Sequence, residues 1–127
     1  MDLAITCIGF LGLLVVGLGF RVSLLRGSTN RAIGYDPDPT DTLHKWVRAH
    51  ANACEFAPML AILIYALAST GYGGWHGWLY IGAVVVRYCH AAGMVMSTTL
   101  EKGHPLRFVG AVGTYLVGFA LVGAAIL

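Results

Sequence analysis

The chain has 127 residues, of which 57% are hydrophobic and 11% charged, with a formal net charge of +2 and a mean hydropathy of +0.73. A soluble domain of this size needs far more charge to wet its surface, so the composition excludes one and indicates an integral membrane protein. The small positive balance comes without any basic tract, which argues against nucleic acid as a partner.

A span takes about 20 mainly apolar residues, so the length holds four spans with short connections, a single all-α domain over residues 1–127. The first span is expected over about 3–25. It carries Gly9, Gly12, Gly17 and Gly19 and no proline, and small residues of this kind let neighbouring helices approach closely. Asp2 is the one charged residue at its start, which does not fit the basic n-region of a secretory signal. Arg21 and Arg26 stand near its far end, where long cationic side chains reach the interface.

Residues 27–42 form a polar loop rich in Gly, Pro and Asp, which break helices. Asp41 or Thr42 is suited to cap the next helix. The second span is expected over about 43–68, with Pro58 inside it. This helix carries the most informative stretch of the chain, Arg48-Ala-His50-Ala-Asn52-Ala-Cys54-Glu55-Phe-Ala-Pro58. Arg48, Asn52 and Glu55 stand at i, i+4 and i+7 and so share one helix face. Charged and amide groups in lipid are costly unless something polar meets them. Three on one stripe therefore imply a polar pocket between helices.

A tight turn over 69–77 follows, and Tyr72, Trp75 and Trp78 are aromatics of the membrane-interface type. The third span, about 78–98, carries Arg87, Tyr88 and His90 in its middle, and the fourth, about 106–127, begins with Arg107. Cys7, Cys54 and Cys89 lie in apolar segments without a CxxC pair, so they read as packing residues, with no disulfide or metal site expected. Arg21, Arg26, Arg31, Lys45 and Arg48 flank the first loop, and Lys102 and Arg107 the third. The positive-inside rule then puts these loops in the cytoplasm and both termini on the other side.

Glu55 lies twelve residues beyond Leu43, and Arg87 twelve before Thr99. At about 1.5 Å per residue both sit at one depth, about 18 Å from the cytoplasmic ends. A buried Glu55–Arg87 pair is expected, with Asn52 and His90 completing its hydrogen bonds; the competing reading has Arg87 binding a ligand carboxylate directly. Arg26, Arg48 and Arg107, with His50 beside them, surround a pocket suited to an anion with more than one carboxylate.

The second-span stretch, Arg with Asn four later, Glu three after that and Pro three further, resembles the signature of the MAPEG superfamily, the membrane-associated proteins of eicosanoid and glutathione metabolism. The resemblance takes in the four spans, Arg87-Tyr88-x-His90, and Pro105-Leu106-Arg107 at the start of span four. It implies a bacterial-type member in the inner membrane, a homotrimer with glutathione as co-substrate in a cytoplasm-facing pocket between subunits. Arg48, Asn52 and Glu55 match the residues that hold glutathione, Arg26 an arginine closing the pocket from the neighbouring subunit, Tyr88 a pocket tyrosine, and Arg107 an arginine near the sulfur. The expected chemistry is glutathione transfer to a lipophilic electrophile or reduction of a lipid hydroperoxide. One departure stands out: where members with established chemistry carry a further tyrosine, the candidate positions here are Ala92 and Met94. Other readings of the residues alone are a small multidrug exporter built on Glu55, a haem bundle with His50 and His90 as axial ligands, and a non-catalytic membrane scaffold.

Overall fold

The structure, a computed structural model, describes residues 1–72 and 74–127. Gly73, inside the expected second turn, lies outside the described residues. Four α-helices follow one another: α1 (Asp2–Thr29), α2 (Thr42–Ser69), α3 (His76–Met96) and α4 (Pro105–Ile126). Among the described residues there is no strand, and all four helices are long and apolar enough to cross a membrane.

The helix ends follow local chemistry. Asp41 caps α2, its carboxylate accepting the His44 N–H at 2.7 Å. Pro105 opens α4 at a position where its missing N–H costs nothing, and His104 caps it. The first helix runs a full turn beyond the expected residue 25, because Asn30 takes the left-handed conformation (φ 53°) and its N–H closes the last turn. Pro58 sits inside α2 without ending it.

Two close pairs make the bundle, α1 against α2 and α3 against α4, with α2 also packed on α3 and α4. The α3–α4 pair comes nearest, and glycine is the cause. A Cβ on Gly93 would lie 2.3 Å from the Arg107 backbone nitrogen, and one on Gly110 2.4 Å from that of His90. By contrast Gly9, Gly12 and Gly17 of α1 face open space, so the close packing expected of them is not met within the chain.

The interior divides in two. Leu11, Leu60, Ile64, Tyr80, Ala83 and Leu121 form an apolar core toward the second turn. Leu14, Leu18, Ala49, Ala53, Ala91 and Met94 form another toward loops 1 and 3. Only 17% of the apolar stretch of α4 is buried within the chain, so its outer face must meet lipid or another copy.

Loops 1 and 3 lie together over one end. The Leu100 N–H donates to the Pro39 carbonyl at 2.9 Å, and Lys45 Nζ to the Ser97 carbonyl at 3.1 Å. They form the rim of the site below.

Candidate functional site

The residue spacing of α2 and α4 sets the site. Arg48 and Asn52 are one turn apart on α2 and face α4, while Arg107 projects from the first turn of α4. With His90 and Met94 of α3 they line a cavity of about 430 Å3, rimmed by Pro39, His44, Leu100 and Glu101. That volume falls within the ~300–1,000 Å3 typical of small-molecule clefts. Arg48 is exposed and Arg107 half-buried. The Arg107 guanidinium donates to the Leu100 carbonyl at 3.0 Å, which ties loop 3 to the cavity wall. Two guanidiniums, an amide and imidazoles around one opening suit a ligand with several anionic groups.

Deeper in the bundle, Arg87 is 1% exposed. It donates to Asn52 Oδ1 at 2.5 Å and to Thr114 Oγ1 at 3.2 Å, and its guanidinium lies 5.1 Å from the centre of the Phe56 ring. The Thr114 hydroxyl donates in turn to the Gly110 carbonyl at 2.6 Å. The expected Glu55–Arg87 ion pair is not formed. Among the described residues the one ion pair within 4.0 Å is Arg31–Asp36, at 3.9 Å. The physical reason is azimuth. Asn52 and Phe56 stand at i and i+4 and meet Arg87, while Glu55 lies about 60° around the helix from Asn52 and about 100° from Phe56, on the side turned from Arg87. Glu55 is exposed instead and lines an apolar groove of about 420 Å3 between α2 and α4, with Phe56, Met59, Tyr115 and Phe119.

Of the sequence-predicted residues, Arg48, Asn52, His90 and Arg107 come together at one cavity, Arg87 lies beneath it, and Glu55 opens to the adjoining groove. Three stand elsewhere. The Arg26 guanidinium donates to the Gly34 carbonyl at 2.7 Å and holds loop 1. His50 packs on α1 at Gly19 and touches Cys54 Sγ at 3.4 Å. Tyr88, one residue past Arg87 and so on another face of α3, donates to the Phe10 carbonyl of α1 at 3.0 Å. His50 and His90 therefore face different helices, α1 and α4, an arrangement unsuited to a shared haem. Among the described residues no cluster of three His, Cys, Asp or Glu could hold a metal. All three cysteines are free.

Several cavity residues escaped the sequence reading: His44, Glu101, Met94 as a wall, and Thr114 and Phe56 at Arg87. His44 stands one turn before Arg48, and Thr114 two turns after Arg107, so helical spacing was a usable signal for both.

No curated protein and no solved structure matches the chain. A family model described as the MAPEG family matches residues 4–127, essentially the whole of it. The four apolar helices and this match make the protein an integral membrane protein of the glutathione- and eicosanoid-metabolism type, and the chain belongs to the MAPEG family.

Proposed function

We propose that the protein binds glutathione and uses it as a transferase or peroxidase on lipophilic electrophiles or lipid hydroperoxides. The observation that carries this is a two-arginine cavity and an apolar groove that both use α2 and α4 and are bridged by a small cavity sharing residues with each. Arg48 and Asn52 would hold the tripeptide's carboxylates, and Glu101 or Glu55 would meet its ammonium. Arg107 stands at the N-terminus of α4, where free backbone N–H groups and the helix dipole also favour an anion. A guanidinium beside the thiol favours the thiolate, the nucleophilic form. Attack on an electrophilic carbon forms a C–S bond, and the displaced or ring-opened group takes up a proton. With a hydroperoxide the thiolate attacks the peroxide oxygen, and a second glutathione completes the disulfide, releasing alcohol and water.

The same reading makes the protein a homotrimer. The open faces of Gly9, Gly12 and Gly17, and the exposed outer face of α4, leave room for neighbouring copies. In such an assembly Arg26 would reach the cavity of the adjacent subunit. The Arg-flanked loops support a cytoplasm-facing cavity by the positive-inside rule.

The test is a thermal shift of the detergent-purified protein with glutathione. A saturable rise in wild type that disappears in Arg48→Ala supports the proposal. The absence of any shift, with the protein folded, refutes it.

A second reading draws on Glu55, a carboxylate in an apolar groove, as in proton-coupled drug export. The Arg48–Arg107 cavity has no place in that mechanism. Proton-driven efflux from vesicles that depends on Glu55 would favour it.

A further inference from the structure

Beneath the outer cavity lies a smaller one, about 50 Å3, lined by Asn52, Phe56, Arg87, His90, Ala111, Thr114 and Tyr115. Asn52 and His90 line both, so the two adjoin. Arg87 and His90 are 1% and 7% exposed. Among the described residues, Arg87 Nε and His90 Nδ1 are the buried side-chain nitrogens left without a hydrogen-bond partner, and both belong to residues of this cavity wall.

Charge and geometry then point the same way. Arg87 is a permanent cation inside a membrane-spanning bundle. Its hydrogen-bond partners are a neutral amide and a neutral hydroxyl, and an aromatic face covers its plane. Neutral acceptors satisfy single N–H groups but do not cancel a buried charge, which is costly without an opposite one. The one carboxylate of α2, Glu55, is turned into the groove and makes no ion pair with it. A neutral imidazole still has one N–H to donate, and on Nδ1 it becomes a second donor beside the guanidinium. Thr114 cannot be that donor, because its proton is committed to Gly110.

We infer that this inner cavity binds a small monovalent anion, of halide or formate size, between Arg87 Nε and His90 Nδ1. A single water needs about 10–15 Å3 of such space, so the volume admits a monatomic or triatomic anion and excludes larger ones. The anion supplies a charge in direct contact with the guanidinium, where Glu55 acts only from beyond 4.0 Å, and locks the Asn52–Arg87–Thr114 network that forms the floor of the outer cavity. It does not depend on the glutathione reading, since the ion would bind to the unliganded protein.

The experiment is thermal unfolding of the detergent-purified protein in chloride, bromide or formate against gluconate, an anion too large for the cavity, at equal ionic strength. The expected result is a saturable rise in Tm of several degrees with each small anion and none with gluconate, as binding to the folded state requires. Arg87→Met should abolish the difference. If that variant does not fold, Ala111→Leu fills the cavity and leaves every cation in place, and it too should lose the response. Arg107→Ala, a residue that lines the outer cavity and not the inner one, should keep it. Equal stability in chloride and gluconate overturns the inference and leaves a water in the cavity. A small-anion response that persists in Ala111→Leu, or vanishes in Arg107→Ala, overturns it in favour of the outer cavity. A halide that displaces glutathione one for one would assign the cavity to glutathione's own carboxylate and also overturn it.

Discussion

The buried guanidinium of Arg87 rests on Asn52, its Nη2 donating to the amide oxygen at 2.5 Å. The motif asparagine thus does two tasks, forming the wall of the outer cavity and holding the one fully buried cation of the bundle. Hydrogen bonds to charged groups contribute about 1.5–3 kcal/mol, and an orphaned buried charge costs more. Asn52→Leu should therefore lower stability by at least that much, about 2–4 kcal/mol where Arg87 stays buried. Glu55→Gln, on the exposed groove face, should cost less than about 1 kcal/mol. Thermal unfolding of the two variants in one detergent checks the order. If Glu55→Gln proves the more damaging, Glu55 is the true partner of Arg87.

Helix number, type and approximate bounds were legible because apolar run length and capping chemistry are local properties of the chain. Asp41 as the α2 cap and Pro105 as the opening of α4 follow from two or three residues each. Depth was legible too, since rise per residue is fixed. What was not legible is how each helix is rotated about its axis. Equal depth makes Glu55 and Arg87 neighbours by sequence, but the rotation of α2 turns Glu55 into the groove and brings Asn52 and Phe56 to Arg87. The same rotation on α3 sends Tyr88 to α1 while Arg87 and His90 look toward α4. Rotation is fixed by packing, here by Gly93 and Gly110, whose bare backbones set how α3 and α4 meet.

Those two glycines should be intolerant of any side chain. At Gly110 a Cβ would stand 2.4 Å from one backbone nitrogen, and at Gly93 2.3 Å from another, so neither neighbour can yield by rotating a side chain. Overpacking of this kind costs about 1–3 kcal/mol and more where backbones must separate. Gly93→Ala and Gly110→Ala should both lower Tm. Gly12→Ala and Gly17→Ala have open space within the chain and should leave the isolated subunit's fold unchanged. If light scattering finds an oligomer and these variants weaken it, that face of α1 is where a second copy packs.

Acid should loosen the rim of the outer cavity through Asp38. Its carboxylate accepts the Thr40 N–H at 2.8 Å and the Thr40 hydroxyl at 2.7 Å, and these bonds hold its pKa below the ordinary aspartate range. A carboxyl whose folded pKa is depressed favours the folded loop above its unfolded pKa of about 3.9. That contribution is lost as pH falls through the lower folded value. Pro39, the next residue, accepts the Leu100 N–H, so release of this turn also frees loop 3. Hydrogen-exchange protection of the Thr40 and Asp41 amides and of Leu100, relative to the intrinsic rate at each pH, should fall together below about pH 4. Asp38→Asn should show the same loss of protection at neutral pH. An unchanged Leu100 amide in that variant would show that the two loops are held independently.

If glutathione is the ligand, as proposed, the chemistry of its thiol should turn on Arg107. Its guanidinium projects into the outer cavity from the first turn of α4 and donates to the Leu100 carbonyl at 3.0 Å. Tyr88, the other residue expected to assist the sulfur, spends its hydroxyl proton on Phe10 and lines neither polar cavity. Met94 occupies the wall with a thioether, which offers no strong donor. Arg107 is thus the cavity cation best placed, with the helix N-terminus behind it, to favour thiolate over thiol. Arg107→Ala should keep glutathione binding within about tenfold, a loss of roughly 1.4 kcal/mol, because Arg48 and Asn52 remain. Ultraviolet difference absorbance of the bound thiolate should vanish, and conjugation to a lipophilic electrophile should fall by about 10²–10³. Arg107→Lys should retain part of both, since the charge persists without the planar fork. Met94→Tyr adds a hydroxyl to the same wall and should raise turnover in the otherwise native chain. A thiolate signal in Arg107→Ala equal to that of wild type would make Arg107 a tether for loop 3 alone.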